Sequence, residues 1–201
     1  MLREKHEDSH TEARANFILG RLGFSWEELK GKRILDIGAG SAEFGAAARK
    51  KGIDMVSIDL SPFYERKPYQ KEGYVQGSGY HLPFADESFD IVVSHASVPL
   101  DADDREHVIR SIEEMRRVLK RGGECRFGPV GMGGALFPMG DLEQRASGVS
   151  NASWEEEDTV DEKVRKTSLK TTALLRELVP DLKNSTDDPI AQTNNFYSFK
   201  K

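Results

Sequence analysis

Ile34-Leu35-Asp36-Ile37-Gly38-Ala39-Gly40-Ser41-Ala42-Glu43-Phe44-Gly45 is an apolar run that breaks into closely spaced glycines and then takes up a helical pattern. The strand half, Arg33 to Ile37, is β-branched at Ile34 and Ile37, and its core-like character suits a strand buried on both faces of a parallel sheet. Gly38 and Gly40 open the turn, because they reach backbone angles closed to other residues and leave no side chain to hold a ligand off the main chain. From Ser41 to Lys51, Phe44, Ala47 and Ala48 recur at helical spacing, and Gly52 follows as a C′ glycine. A helix starting there presents free amides to a ligand, so the stretch is a candidate cofactor site.

The segments on either side extend the same pattern. Ile53 to Asp59 reads as a second strand ending on an acid. Asp59 stands about 20 residues beyond the first glycine, the distance at which α/β nucleotide sites place a carboxylate against ribose hydroxyls. A surface turn acid is the bland alternative. Ser61-Pro62 opens an irregular connection carrying Tyr64, Tyr69 and Tyr74, and Val75-Gln76 reads as a short third strand. Phe89 to Ser94 is a fourth strand, with His95 at its carboxyl end, where open parallel sheets collect their ligands. The following loop, His95 to Asp101, contains Pro99. Val108, Ile109, Ile112, Met115, Val118 and Leu119 form a helix stripe, with Arg116, Arg117, Lys120 and Arg121 in its last turns, where cations suit the negative end of the helix. Gly122-Gly123 is expected to stop this helix, and Glu124 to Gly128 to begin a fifth strand.

At the amino end, Ala13, Phe17, Ile18 and Leu22 recur at helical spacing up to Gly23, and Ser25 with Glu28 has the form of a capping box. Residues 129–167 read as a substrate lid or an insertion. Leu174, Leu175 and Leu178 mark a further helix before Pro180, and Asp181 to Ser185 and Asn195 to Lys200 read as the last two strands. Strands alternating with helices argue for a doubly wound α/β fold.

The chain has 201 residues, enough for one domain with a substantial core, and a formal net charge of −5, which gives no long-range attraction to nucleic acid or anionic membrane. Its one cysteine, Cys125, cannot form an internal disulfide and reads as inert strand packing in a reducing compartment. No apolar run is long enough to cross a bilayer, and residues 1–8 are charged where a signal peptide needs an apolar centre. A soluble, cytoplasmic protein is expected. His6 and His10 have metal-ligand spacing, but in so charged a terminus they read as solvated, and no metal site is expected.

At this point four segments, in order, resemble the class I S-adenosylmethionine-dependent methyltransferases of the small, methyltransferase type 11-like kind. Leu35-Asp36-Ile37-Gly38-Ala39-Gly40 resembles the first motif, and Val56 to Asp59 the second. Leu82-Pro83-Phe84 through Asp86, Ser88, Phe89, Asp90, Ile91 and Val92 resembles a segment of the form LPF, acid, SFD and apolar pair. Glu114 to Gly123 resembles the helix-to-strand motif, with Arg121 where proline is common. Together they cover about Gly31 to Gly128. The resemblance implies a Rossmann-like three-layer sandwich around a mostly parallel seven-stranded sheet with an antiparallel last strand. It also implies a helical segment over 1–30 and an S-adenosylmethionine-binding domain over 31–201. Cofactor contacts are implied at Asp36, Gly38, Ala39, Gly40, Asp59, Leu60, Ser78, Gly79 and Ser94. Ser78 departs from the family, which often has an aspartate there for the adenine amino group; a serine oxygen accepts without charge assistance.

Methyl transfer from a sulfonium is an in-line displacement that needs alignment of the acceptor and no enzyme nucleophile. A base is required only where the acceptor must lose a proton. His95 is the candidate base or acceptor-orienting group, and His81 lies in the adenine-side loop; for both, plain packing is the competing reading. After the fourth strand stands Ser94-His95-Ala96-Ser97, unlike the Asn-Pro-Pro-Tyr signature of the branch that methylates nucleic-acid amino groups. A nicotinamide dehydrogenase is disfavoured by Glu43 at the third glycine position. A catalytically silent methyltransferase-like subunit stays open because of Ser78. The acceptor is expected to be a small molecule by elimination, since no basic groove with interleaved aromatics argues for RNA.

Overall fold

A computed structural model describes residues 2–61, 72–99, 105–128, 173–184 and 196–201. The segments at 62–71, 129–167 and 141–146, the connection with Tyr64 and Tyr69 and the lid included, lie outside them. In chain order the elements are α1 (Leu2–Arg21), α2 (Trp26–Leu29), β1 (Arg33–Ile37), α3 (Glu43–Lys50), β2 (Asp54–Asp59), β3 (Tyr74–Gln76), β4 (Phe89–His95), α4 (Arg105–Val118), β5 (Leu119–Gly128), β6 (Lys183–Asn184) and β7 (Tyr197–Lys200). Residues 173–178 add a short helix.

The seven strands form one sheet in the order β3-β2-β1-β4-β5-β7-β6. β1 pairs in parallel with both β2 and β4, and β4 with β5, while β7 runs antiparallel to β5 and to β6. The strand order therefore reverses between β1 and β4. Crossovers from those two strands leave toward opposite faces, and the crevice between their carboxyl ends is where such sheets hold ligands.

Alternation along β1 explains the three layers. Leu35 and Ile37 face one side, with Ile58 and Val92, and pack on Val108, Ile112, Met115 and Val118 of α4. Ile34 faces the other side, with Met55, Ile91 and Val93, and packs on Phe44, Ala47 and Ala48 of α3 and on Ala15, Leu19 and Leu22 of α1. Both faces are covered, as the apolar run from Ile34 requires. The capping box at Ser25 and Glu28 is formed. Gly52, at φ +75°, ends α3 after Lys51.

Three expectations change. The apolar stripe of α1 is Ala15, Leu19 and Leu22, and Phe17 is 48% exposed. α3 begins at Glu43, two residues late, because Gly38 to Ala42 are spent on the turn, closed by the Ala42 amide donating to the Ala39 carbonyl (2.8 Å). α4 ends at Val118, and Lys120 and Arg121 already belong to β5, since Leu119 pairs with Phe89 across a register shift. Gly122 and Gly123 do not stop the helix; they exchange backbone bonds with Lys201 at the end of β7. A Cβ on Gly123 would come within 2.9 Å of the Asp90 carbonyl. Lys120 reaches back to the Asp90 carboxylate (3.0 and 3.1 Å), which also accepts from the Arg33 amide (2.8 Å).

A second fixing point joins α4 to the loop before β4. Arg117 donates to both oxygens of Glu114 (2.7 and 2.9 Å), to the carbonyls of Leu82 (2.9 Å) and Phe84 (2.7 Å) and to Asp86 (2.8 Å). Glu114 in turn accepts from the Leu82 amide (2.7 Å). Hydrogen bonding to Glu114, then to Asp86, raises the Arg117 guanidinium above its ordinary range. Arg117→Met should therefore cost about 2–3 kcal/mol in urea unfolding, and Arg117→Lys should restore less than half of it, because an ammonium cannot reproduce the planar fork.

Candidate functional site

The crevice is built by the exits of β1, β2 and β4. Past Ile37 the chain turns through Gly38 (φ +70°) and Gly40 (φ +54°), both in the left-handed region that glycine tolerates. Ala42 follows in the same region, at φ 57°, and gives α3 no side-chain cap. The turn is fastened to β2. Gly38 and Ala39 donate their amides to the Ile58 carbonyl (2.8 and 3.1 Å), and Gly40 donates to the Asp59 carboxylate (2.8 Å). A β2 carbonyl and an acid at the same height thus claim the three amides of the turn itself. The Ser97 side chain fills the space beside the Cα of Gly38, whereas nothing lies within 4 Å of a Cβ built on Gly40.

Asp59 uses both oxygens, the second accepting from the Ser61 amide (2.9 Å). The residue between them, Leu60, is 64% exposed. Its backbone is held from β3, where Gln76 donates to the Leu60 carbonyl (3.1 Å) and Tyr74 to the Ser61 carbonyl (2.6 Å). Ser78 accepts from the Tyr80 amide (3.1 Å), in a tight turn bridged to His81. Gly79 packs so closely that a Cβ would meet Val98 at 2.7 Å and Ile37 at 3.0 Å. Ser94, fully buried, donates to the Val98 carbonyl (2.6 Å) and so shapes the loop after β4.

Two titratable groups on the α1/α3 face of the sheet are displaced from their ordinary values. Asp36, 4% exposed, is pushed up to about 7, chiefly by burial, then by the Asp59 charge, with Arg49 pulling the other way. Its neighbour across the pairing is Ser57, whose buried hydroxyl has no hydrogen-bond partner. His95 lies two residues beyond Val93, the partner of Asp36 on β4. Burial, then the charges of Arg14 and Arg21, lowers His95 to about 4. Its Nε2 is buried without a partner, and its ring meets Phe17 of α1 edge-on at 6.0 Å. The structure therefore brings Asp36, Gly38, Ala39, Gly40, Asp59 and Leu60 together at one crevice, with Ser78, Gly79, Ser94 and His95 along its β3 and β4 side. His10 sits 3.5 Å from Glu43 at the start of α3. Burial pushes the Cys125 thiol up, consistent with inert packing.

Residues 35–127 match a family model described as a methyltransferase domain. That match spans 93 of the 201 residues and takes in all four segments that resemble the class I S-adenosylmethionine-dependent methyltransferases. Among curated relatives, the chain is 30% identical over 110 residues to the biotin biosynthesis bifunctional protein BioHC of Cellvibrio japonicus, covering 53% of this chain and 21% of that one. It is 27% identical over 126 residues to the malonyl-[acyl-carrier protein] O-methyltransferase of Pectobacterium atrosepticum, covering 61% and 48%. It thus spans less than half the length of either relative. A crystal structure of a Methanococcus maripaludis protein assigned as an S-adenosyl-L-methionine-dependent methyltransferase shares the fold at TM-score 0.55 and 19% identity, covering 98% of this chain and 91% of that one.

Sequence reading missed the residues that α1 brings to the crevice: Arg14, Phe17 and Arg21. Their i, i+3, i+7 spacing was the available signal, hidden because Phe17 also suits a core stripe. It also missed Ser97, which sequence does not mark. No helix among the described residues is long and apolar enough to cross a membrane. The raised Asp36 carboxyl has a definite consequence for stability. Between the ordinary carboxylate value and about 7 the folded state holds this proton more tightly than the unfolded chain, so its contribution is greatest at low pH and is lost as pH rises to about 7. Urea unfolding from pH 4 to 8 should give a decline in the parent protein that is absent from Asp36→Asn.

Proposed function

We propose that this protein transfers a methyl group from S-adenosylmethionine to a small-molecule acceptor at the carboxyl ends of β1 and β4. The observation that carries the reading is the tip of β2: a carboxylate, Asp59, locked by the Gly40 and Ser61 amides, beside a large apolar side chain left 64% exposed. Acid and apolar surface in succession suit a ribose diol and a purine face. An exposed leucine alone is ordinary; one whose own carbonyl and that of Ser61 accept from the Gln76 and Tyr74 side chains of β3, beside that acid, fits a binding surface.

In this reading Asp59 accepts from the ribose hydroxyls and Leu60 covers adenine. Gly79 offers its amide and Ser78 its hydroxyl to the edge of the ring. Asp36, ionised on meeting the ammonium of the methionine end, neutralises it, and the open side of Gly40 admits the main chain of that end, with Gly38 and Ala39 holding the turn. Ser94 serves the site by fixing the loop through Val98. The bound cofactor supplies a methyl group on a sulfonium for in-line displacement by the acceptor. His95, neutral at pH 7, accepts a hydrogen bond through Nε2 and orients the acceptor; a group lowered to about 4 is a weak base at that pH. In the same reading, residues 31–201 form the catalytic domain behind the 1–30 helical segment of a cytoplasmic enzyme. The acyl-carrier substrate in the name of one relative is not carried over, since less than half of that protein is matched.

A second reading, a silent subunit, draws support from the Gly38 and Ala39 amides already bonded to Ile58 and from the engaged Ser78 oxygen. Titration calorimetry with S-adenosylhomocysteine separates the two: binding at micromolar ligand is expected, and no heat at high micromolar ligand would favour the silent subunit. Asp59→Ala should weaken that binding by about 1.5–3 kcal/mol, as for losing a charge-assisted bond. Unchanged affinity would put the ribose elsewhere.

A further inference from the structure

Resting on that reading, we propose that the acceptor carries an acid group, a carboxylate or a phosphate, which Arg14 and Arg21 of α1 hold while its apolar part lies on Phe17, beside His95. Four observations converge here. The guanidinium carbons of Arg14 and Arg21 stand 5.4 and 5.2 Å from the centroid of the Phe17 ring, so two cations flank one aromatic surface. Phe17 is 48% exposed and, with Leu60, is one of two large apolar side chains among the described residues left in this condition. Leu60 lies on the cofactor side of the crevice and Phe17 on the other. The Phe17 ring touches His95, whose Nε2 is buried and without a partner, at the end of β4.

The helix is held so that this stripe points at the site. Arg126 on β5 donates to the carbonyls of Gly23 (2.5 Å) and Leu22 (3.3 Å) and lies 3.7 Å over the Phe24 ring, fixing the carboxyl end of α1. Trp26 donates to Asn16 (2.8 Å), and Lys51 pairs with Glu12 (2.7 Å) farther along. Fixed this way, α1 presents two like charges side by side, one of them on a buried residue. Burial and then the Arg14 charge lower Arg21, and burial and then the two cations lower His95. An anion relieves both effects, and guanidinium forks match the geometry of carboxylate and phosphate oxygens. A neutral ligand of the same shape gains only the contact with Phe17.

The test is a titration of the full chain, with and without saturating S-adenosylhomocysteine, by benzoate, phenyl phosphate and uncharged benzamide, followed by ligand-observed NMR. Benzoate or phenyl phosphate should bind at least tenfold more tightly than benzamide, and the tighter of the two names the acid group. Arg14→Gln should remove most of that preference, Phe17→Ala should weaken all three probes, and Arg110→Gln, on the outer side of α4, should change nothing. Arg14 is exposed, so its variant should keep S-adenosylhomocysteine affinity. Equal binding of benzoate and benzamide, or equal losses in Arg14→Gln and Arg110→Gln, would overturn the proposal while leaving the methyl-transfer reading intact. Failure to bind S-adenosylhomocysteine alongside a preserved anion preference would do the reverse.

Discussion

The Asp59 carboxylate, bonded on one oxygen to the Gly40 amide and on the other to the Ser61 amide, ties the exit of β1 to the exit of β2. With the Gly38 and Ala39 amides on the Ile58 carbonyl, it gives the glycine turn one position above the sheet. That position sets where α3 starts, and hence where α1, packed along α3, lies over β4 and β5. It also turns Leu60 outward. A carboxylate used in this way still has lone pairs to offer a ligand, so the same side chain fixes the turn and remains chemically available.

The parts of the fold legible in the sequence are those set by short-range signals. β1, β2 and β4 announce themselves by apolar runs, Ser25 and Glu28 by their spacing, and Gly52 by the αL conformation that ends α3. The misreadings of α4 and α1 involve partners distant in sequence. α4 looked longer because Lys120 and Arg121 continue a helical composition, whereas pairing of Leu119 with Phe89 draws the chain into the sheet at once. The stripe of α1 was ambiguous between Phe17 and Leu19, since both have helically spaced neighbours; only the sheet decides which face is covered. The Arg117 clamp spans more than 30 residues and could not be read from either end, although two of the family-like segments turn out to hold each other.

The candidate site was legible as far as residue identity and not as far as availability. Gly38 and Gly40 look alike in sequence, yet Ser97 closes one and leaves the other open. Ser94 looks like a ligand contact, yet its hydroxyl is spent on Val98. What a side chain can offer depends on which neighbours have already bonded it.

A net charge of −5 also concealed how the charges are arranged. Asp36 and Asp59 stand at the exits of β1 and β2, while Arg14 and Arg21 lie over the end of β4, so the two sides of the crevice carry opposite potentials. Each side is unfavourable to itself: burial and then Asp59 raise Asp36, and burial and then Arg14 lower Arg21. Burying a charge beside a like charge costs free energy, and a ligand of opposite sign offsets that cost. In the proposed reading, the ammonium and sulfonium of the cofactor meet the acidic side and an acid group of the acceptor meets the basic side. His95, lowered to about 4 by burial and then by Arg14 and Arg21, is neutral at pH 7 and adds no third positive charge beside them.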